Sequence, residues 1–481
     1  MWWWWWLVRR LGWWLILCVA FTASLKLLLV AHLPPRATLP PLPTQTSSLS
    51  SQYRAPSHLT TQQPQQKVYL KGEVYAVRDS EYYRRNQSSR PGLTPLLTSF
   101  YAYLTVVRAQ YASRSPHLAT LTHRLKLDLT RKRVTDDPWD LARKWASPRS
   151  LVPNEAKGLG DILAALSTAP IIAADIGHQG TQLKLSLRLK GGQRAIFKPQ
   201  WYGREDVLEG GVYGGWDRHN GEVAAFHLSR LLDLNTVPLT VGRRISLKRH
   251  IIPVATRKLV NTFSTKRGNG TCFYGVCHFC NKETPVCDNG HTLEGSMTMW
   301  VTSRLPLINQ VNPWKRSYNH GPKNTLVQWE KDAAYCQRVV RVKPFSDPSS
   351  PRLLDLMEAS VFDFLIQNGD RHHYVVVAGK PQSAIILLDN GKSFADPDVD
   401  HMDILTPLLQ CCRLRQVTYE RLVLLSGGGL SQALEELLAL DPIAPVLASS
   451  HFDALDRRLL HVLAALDACK ERLGGWHHVL F

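Results

Sequence analysis

Gln367-Asn-Gly-Asp370-Arg-His-His-Tyr374 and, a short way on, Ser383-Ala-Ile-Ile-Leu-Leu-Asp389-Asn-Gly-Lys-Ser-Phe394 are the stretches on which the fold turns. Asp370 and Asp389 stand 19 positions apart, each at a turn. Before Asp370, the apolar positions Leu353, Met357, Val361, Phe364 and Leu365 recur at helical spacing. Asn368-Gly369 then gives a helix stop and a turn. The apolar run 384–388 predicts a short buried strand, with Asn390-Gly391 as the next turn. Helix, Asp-bearing loop, strand and a second Asp before a Gly is a layout suited to phosphoryl transfer. One Asp orients an acceptor hydroxyl and takes its proton, while the other holds a divalent metal on the phosphates. As bare residues, Asp370 and Asp389 fit ordinary turns equally well. The cluster Arg371, His372, His373 and Tyr374 directly after Asp370 weighs towards chemistry. A metal site on the two histidines is disfavoured, because neighbours on an extended loop point apart.

Upstream lies the complement of that layout. Gly177 to Gln182 is a glycine turn, followed by the alternating stretch Leu183 to Leu189. Gly191-Gly192 reverses the chain into Arg194-Ala-Ile-Phe-Lys198-Pro199. A glycine turn carrying Gln182, a hairpin, and a strand ending in Lys198 is how protein kinases cover and hold ATP phosphates. The order of the two Asp loops is also theirs, although neither H-R-D nor D-F-G occurs. A helix beginning near Asp217 to Asn220 follows, with Ala224, Leu228, Leu231 and Leu232 on one face and Glu222 in its first turn. Asp217 or Asn220 is the expected cap. Asp217 and Glu222 are the candidate partners of Lys198.

The chain ends bound the compartment. Net charge is +19, from 58 basic and 39 acidic residues, which suits a polyanionic partner, nucleic acid or acidic sugar alike. Residues 1–10, tryptophan-rich with Arg9 and Arg10, read as a cytoplasmic tail. Residues 11–31, whose one charge is Lys26, are long enough to span a bilayer as a signal-anchor. A cleaved signal peptide is the rival, with Ala20, Ala23 and Ser24 as small residues for cleavage. Residues 32–66, rich in Pro, Ser, Thr and Gln, read as a disordered stem. The 67–170 segment reads as a helical extension, with a helix around Trp139 and Trp145. Such a topology puts the remainder in a lumen and leaves no nucleic-acid partner. Asn86 and Asn269 lie in glycosylation sequons. Beyond Cys18, eight cysteines remain: Cys272, Cys277, Cys280, Cys287, Cys336, Cys411, Cys412 and Cys469. The first four have zinc-like spacing, but an even count behind an anchor favours disulfides.

The segments D-R-H-H-Y, L-D-N-G-K-S-F, D-R-H-N-G-E-V-A-A-F-H-L and C-F-Y-G-V-C-H-F-C resemble the secretory-pathway kinase family of the Golgi casein kinase and the glycosaminoglycan xylosylkinase. The similarity runs over roughly residues 171–472 and is nearer the xylosylkinase branch. It implies an α+β, atypical two-lobed kinase-like fold: residues 171–303 as N-lobe with a cysteine-rich insert and hinge, residues 304–481 as C-lobe. It further implies Asp370 as the catalytic base, Asp217 and Asp389 on a metal, and Gln182, Lys198, Glu222 and Asp389 around ATP. The adenine-binding hinge falls at Trp300, Val301, Thr302 and Ser303. The implied disulfides are Cys272–Cys287, Cys277–Cys280, Cys336–Cys411 and Cys412–Cys469. The implied reaction is transfer of the ATP γ-phosphate to the 2-hydroxyl of xylose in the proteoglycan linkage region, with Mn²⁺, or Mg²⁺ in its stead, at the Golgi membrane. A homodimer, or a heterodimer with a family member, also fits the resemblance. One departure stands out: Val375 occupies the place of a metal-binding Glu. It keeps two alternatives in view, a secretory Ser/Thr protein kinase and a pseudokinase partner.

From Tyr419 to Leu473 the pattern predicts two amphipathic helices split near Asp441-Pro442.

Overall fold

The computed structural model describes residues 90–130, 137–177, 180–208, 212–266, 270–316 and 326–481. The tail, anchor and stem, together with Asn86 and Asn269, lie outside the described residues. Among the described residues no helix is long and apolar enough to cross a membrane.

The chain enters through four helices: α1 (Thr94–Gln110), α2 (Leu118–Thr130), α3 (Pro138–Trp145) and α4 (Leu159–Thr168). Helix α3 has a clear local cause. Asp137 caps it by accepting from the Trp139 N–H at 2.8 Å, and Pro138 occupies the first turn, where no backbone donor is needed.

A five-stranded antiparallel sheet follows. Its strands are β1 (Ile171–Ile176), β2 (Leu185–Leu189), β3 (Arg194–Pro199), β4 (Thr240–Ile245) and β8 (Leu293–Met299), in the order β1-β2-β3-β8-β4. Leu185, Leu187 and Leu189 point into the core, as the alternation required. Helix α5 (His219–Leu231) is buried along its whole length. Its cap differs from expectation: Arg218 stands at the N-cap without a side-chain capping hydrogen bond, and Asp217 is turned to Lys198 instead.

Between β4 and β8 lie α6 (Arg257–Val260) and a three-stranded sheet of β5 (Phe263–Lys266), β6 (Gly270–Phe273) and β7 (Val286–Cys287). After β8 come β9 (Leu307–Val311), α7 (Gln328–Lys331) and α8 (Tyr335–Val339). The helical half is built on α9 (Arg352–Ile366), which ends where Gln367 turns left-handed at φ 62°. The chain then runs through the Asp370 loop into β10 (His373–Val377), paired antiparallel with β9.

Two expectations need correction. The 384–388 run is not a strand, since only Ile386 makes a bridge, to Val375; the apolar residues are buried by packing rather than by a ladder. After α10 (Thr406–Cys411), three helices replace the expected two: α11 (Gln416–Leu424), α12 (Gly429–Leu438) and α13 (Ser449–Leu473). Gly427 and Gly428, at φ 64° and 78°, make the extra break that a hydrophobic pattern does not reveal.

The structure forms all four disulfides, Cys272–Cys287, Cys277–Cys280, Cys336–Cys411 and Cys412–Cys469. The last two fasten α8 to α10 and the end of α10 to α13.

Candidate active site

Lys198, near the end of β3, sends its ammonium into a cluster of three carboxylates. Nζ donates to Asp217 Oδ2 at 2.8 Å and to Glu222 Oε1 at 2.6 Å, and also to Asp389 Oδ1. Both candidates raised for its partner are therefore partners, one before α5 and one inside it. Burial pushes the Lys198 pKa down, but Asp217, Asp389 and Glu222 outweigh it and hold the group well above the ordinary lysine value. Lys198 in turn holds the Asp389 carboxyl far below the usual range, against the opposing effect of burial.

Asp389 lies deep in the cleft, yet 65% of its side chain remains open, whereas Asp217 and Glu222 are almost fully covered. It sits at φ 59°, a left-handed conformation rare outside glycine. Gly391 is required by close approach: a Cβ there would stand 2.7 Å from Asp217 Cγ.

Two side chains space the aspartate loops. Asn368 accepts from the Asp370 N–H at 3.1 Å and donates to the Asp389 carbonyl at 3.4 Å. Arg371 is forked onto Asp363 of α9, with Nη2 to Oδ1 at 2.7 Å, and reaches the Leu388 carbonyl at 2.7 Å and Asn390 Oδ1 at 2.8 Å. Asn390 continues the chain, its N–H donating to Glu222 Oε1 at 3.0 Å. Thus Asp363, Arg371, Asn390, Glu222 and Lys198 form one connected network. Asn368, Arg371 and Asn390 had registered in sequence only as turn or cluster residues, with no signal of these partners.

Asp370 opens the loop before β10 and is about a third exposed. His372 Nδ1 lies 2.8 Å from the Asp370 carbonyl and 3.4 Å from Oδ1. The hydrogen bond to Asp370 raises the His372 pKa against the effect of its partial burial.

The glycine turn is braced from outside. The Phe279 N–H, inside the Cys277–Cys280 loop, donates to the Thr181 carbonyl at 3.2 Å, and Leu183 packs over Gly275. Gln182 is buried, with Oε1 lacking a hydrogen-bond partner. At the hinge, the Trp300 N–H is committed to the Arg194 carbonyl at 3.0 Å and its carbonyl takes Gln193 Nε2 at 3.3 Å. Val301 and Thr302 are half-buried and Ser303 is exposed.

Val375 sits in the ladder of β10 opposite Asn309, accepts from the Ile386 N–H at 2.8 Å, and packs partly against the core.

A strand lysine held by a helical carboxylate, a glycine turn on one side and two linked Asp loops on the other define a kinase-like phosphotransferase architecture. The comparisons narrow it. Residues 137–477 match the family described as "Fam20C: Golgi casein kinase, C-terminal, Fam20", and the chain belongs to that family. The human "Glycosaminoglycan xylosylkinase" is 47% identical over 350 residues, which is 73% of this chain and 83% of that protein. Among solved structures, "The structure of hydra Fam20 with sugar" superposes with a TM-score of 0.69 at 41% identity, covering 72% of this chain and 99% of that one. The "crystal structure of the Golgi casein kinase with Mn/ADP bound" superposes at 0.68 and 28% identity, covering 76% and 93%.

Proposed function

We propose that this chain is a glycosaminoglycan xylosylkinase, transferring the ATP γ-phosphate to the 2-hydroxyl of xylose in the proteoglycan linkage region. The observation that carries the chemistry is the Lys198 cluster, in which Asp389 alone among the three carboxylates faces open cleft. The substrate rests on the identity to the human xylosylkinase.

In this reading Lys198, fixed by Glu222, orients the nucleotide phosphates. Asp370 accepts the proton of the xylose hydroxyl as the new bond to phosphorus forms. Gln182 turns its unsatisfied amide to the nucleotide from the glycine turn. Since the Trp300 backbone is already committed, Val301, Thr302 and Ser303 are left to recognise adenine, and Trp300 shapes the pocket through its side chain.

A divalent cation fits the residues present. Three carboxylates crowd the Lys198 ammonium, and Asp389 and Asp217 supply the hard oxygen ligands that Mn²⁺ or Mg²⁺ prefers. When bound, the metal neutralises charge on those phosphates.

In the same reading the catalytic domain works in the Golgi lumen, held by the 11–31 segment as a type II anchor, with 32–66 as stem and carbohydrate on Asn86 and Asn269. The 67–170 extension, the lobe boundary at residues 303 and 304, and a homodimer or a heterodimer with a family member belong to the same proposal.

The test is phosphate transfer by the purified lumenal domain with Mn²⁺ and ATP, offered a Gal-Xyl acceptor and a casein-type peptide side by side. Transfer to the sugar alone, lost in Asp370→Ala, is the expected result; transfer to the peptide alone would make this a protein kinase. The apolar Val375 favours one second reading, a pseudokinase partner. That reading requires ATP binding with no transfer to either acceptor.

A further inference from the structure

Lys392 is the other buried lysine of this cleft, and it is partnered quite differently from Lys198. It lies three residues beyond Asp389 and is 8% exposed. Where Lys198 touches three carboxylates, Lys392 donates to a backbone carbonyl, that of Gly215, and stands 4.0 Å from its nearest salt-bridge carboxylate oxygen, Asp217 Oδ1. Burial pushes its pKa down and Arg218 adds to that, against the opposing charges of Asp217, Asp370 and Asp389. A buried ammonium with a carbonyl acceptor and its ion-pair carboxylate oxygen as far as 4.0 Å is costly unless an anion completes it.

The cation count of the site points the same way. In protein kinases the residue five positions after the catalytic Asp is an Asn that holds a second metal ion. Here that position is Val375, whose side chain offers no ligand atom and whose backbone is committed to the β9 ladder and to the bridge with Ile386. Asp217 and Asp389 then remain to hold an ion, without the side chain that fixes a second one in protein kinases. With that ion offsetting the carboxylates around Lys198, the charge of Lys392 is left for the phosphates.

We propose that Lys392 is a catalytic cation of the transfer step, binding the γ-phosphoryl oxygens and supplying the charge that a second metal ion supplies elsewhere. The inference rests on the phosphotransferase reading above. In the step, the bond from the γ-phosphorus to the β,γ-bridging oxygen breaks and its electron pair leaves with ADP. The acceptor oxygen bonds to phosphorus, and its proton goes to Asp370. Lys392 remains protonated and donates to the equatorial oxygens throughout.

The experiment compares wild type, Lys392→Met and Lys392→Arg in transfer kinetics and in calorimetric binding of ATP with Mn²⁺. Electron paramagnetic resonance titration then counts Mn²⁺ bound to wild type with a non-hydrolysable ATP analogue. The expected result is a loss of roughly 100-fold or more in kcat for Lys392→Met, the scale on which removing one charge-stabilising donor acts. Nucleotide affinity should change less than about tenfold, Lys392→Arg should recover part of the rate, and wild type should bind one Mn²⁺ per nucleotide. A Lys392→Met rate within about threefold of wild type would overturn the proposal, as would two Mn²⁺ per nucleotide. If Lys392→Met does not fold, the arginine variant and the metal count decide. Absence of transfer by wild type itself would instead defeat the phosphotransferase reading.

Discussion

Asn368 illustrates how much of this site rests on side chains that touch no substrate. Its amide bridges the two aspartate loops and is 1% exposed. Asn368→Ala leaves the Asp370 N–H and the Asp389 carbonyl without that partner, at a cost of roughly 1–3 kcal/mol for the buried polar groups. The expected outcome is a lower melting temperature and a kcat reduced by about 10- to 100-fold through misplaced aspartates, with a smaller change in KM. Thermal melts and steady-state kinetics on the one variant check both. His372 offers a second handle. Its folded pKa is raised chiefly by the hydrogen bond to Asp370, so it contributes stability below its unfolded value of about 6.5, lost as pH rises through the higher folded value. Histidine NMR should show its midpoint above about 6.5 in wild type and nearer that value in Asp370→Asn. Lys198 and Asp389 were legible in the sequence because each ends a short local pattern. Asn390 and Lys392 were not: the carboxylate that Asn390 holds is 168 residues away, and the Lys392 contact spans 177.

At the level of elements, the cysteine-rich insert is bound up with the glycine turn ahead of β2. Cys277–Cys280 joins cysteines only 3 positions apart, and the loop between them donates a backbone hydrogen bond to the glycine turn. Cys412–Cys469 spans 57 residues and ties α10 to α13. Loop-closure entropy assigns the long bridge about 4 kcal/mol and the short one roughly 2 kcal/mol. Replacing Cys412 and Cys469 together by Ser should therefore depress the melting temperature far more than replacing Cys277 and Cys280. The short-bridge variant should instead weaken ATP binding, as Thr181 and its neighbours lose their brace. Equal melting shifts with unchanged ATP affinity would contradict this division. The glycine turn and the hairpin to Lys198 could be read from glycine spacing and alternation, since both are local. Nothing local reveals that the insert reaches back to Thr181, and nothing local turned the apolar 384–388 run away from a ladder. Burial by surrounding helices and burial in a sheet leave the same hydrophobic trace.

Across the whole molecule, several buried histidines set the acid limit. Burial lowers His227 and His451 to about 3, and His401 and His461 to about 4. A folded pKa below the unfolded 6.5 means the unfolded chain binds more protons as pH falls, so stability is lost below about pH 6.5. By pH 5 each such ring costs roughly 2 kcal/mol. The melting temperature should fall steeply between pH 6.5 and 5, and His227→Gln should flatten that slope. A pH-independent melt over this range would contradict it. The net charge of +19, by contrast, said only that an acidic partner is compatible, and could not have distinguished xylose from any other acceptor.

The central claim is that this cleft moves phosphate from ATP to a xylose hydroxyl. Proton and ³¹P NMR of the purified product, after reaction of the wild-type chain with ATP, Mn²⁺ and the Gal-Xyl acceptor, tests it most directly. One phosphomonoester coupled to the proton on C2 of xylose is expected, absent when Asp370→Ala replaces wild type. Unmodified acceptor, with phosphate recovered only as ATP or as inorganic phosphate, would contradict it.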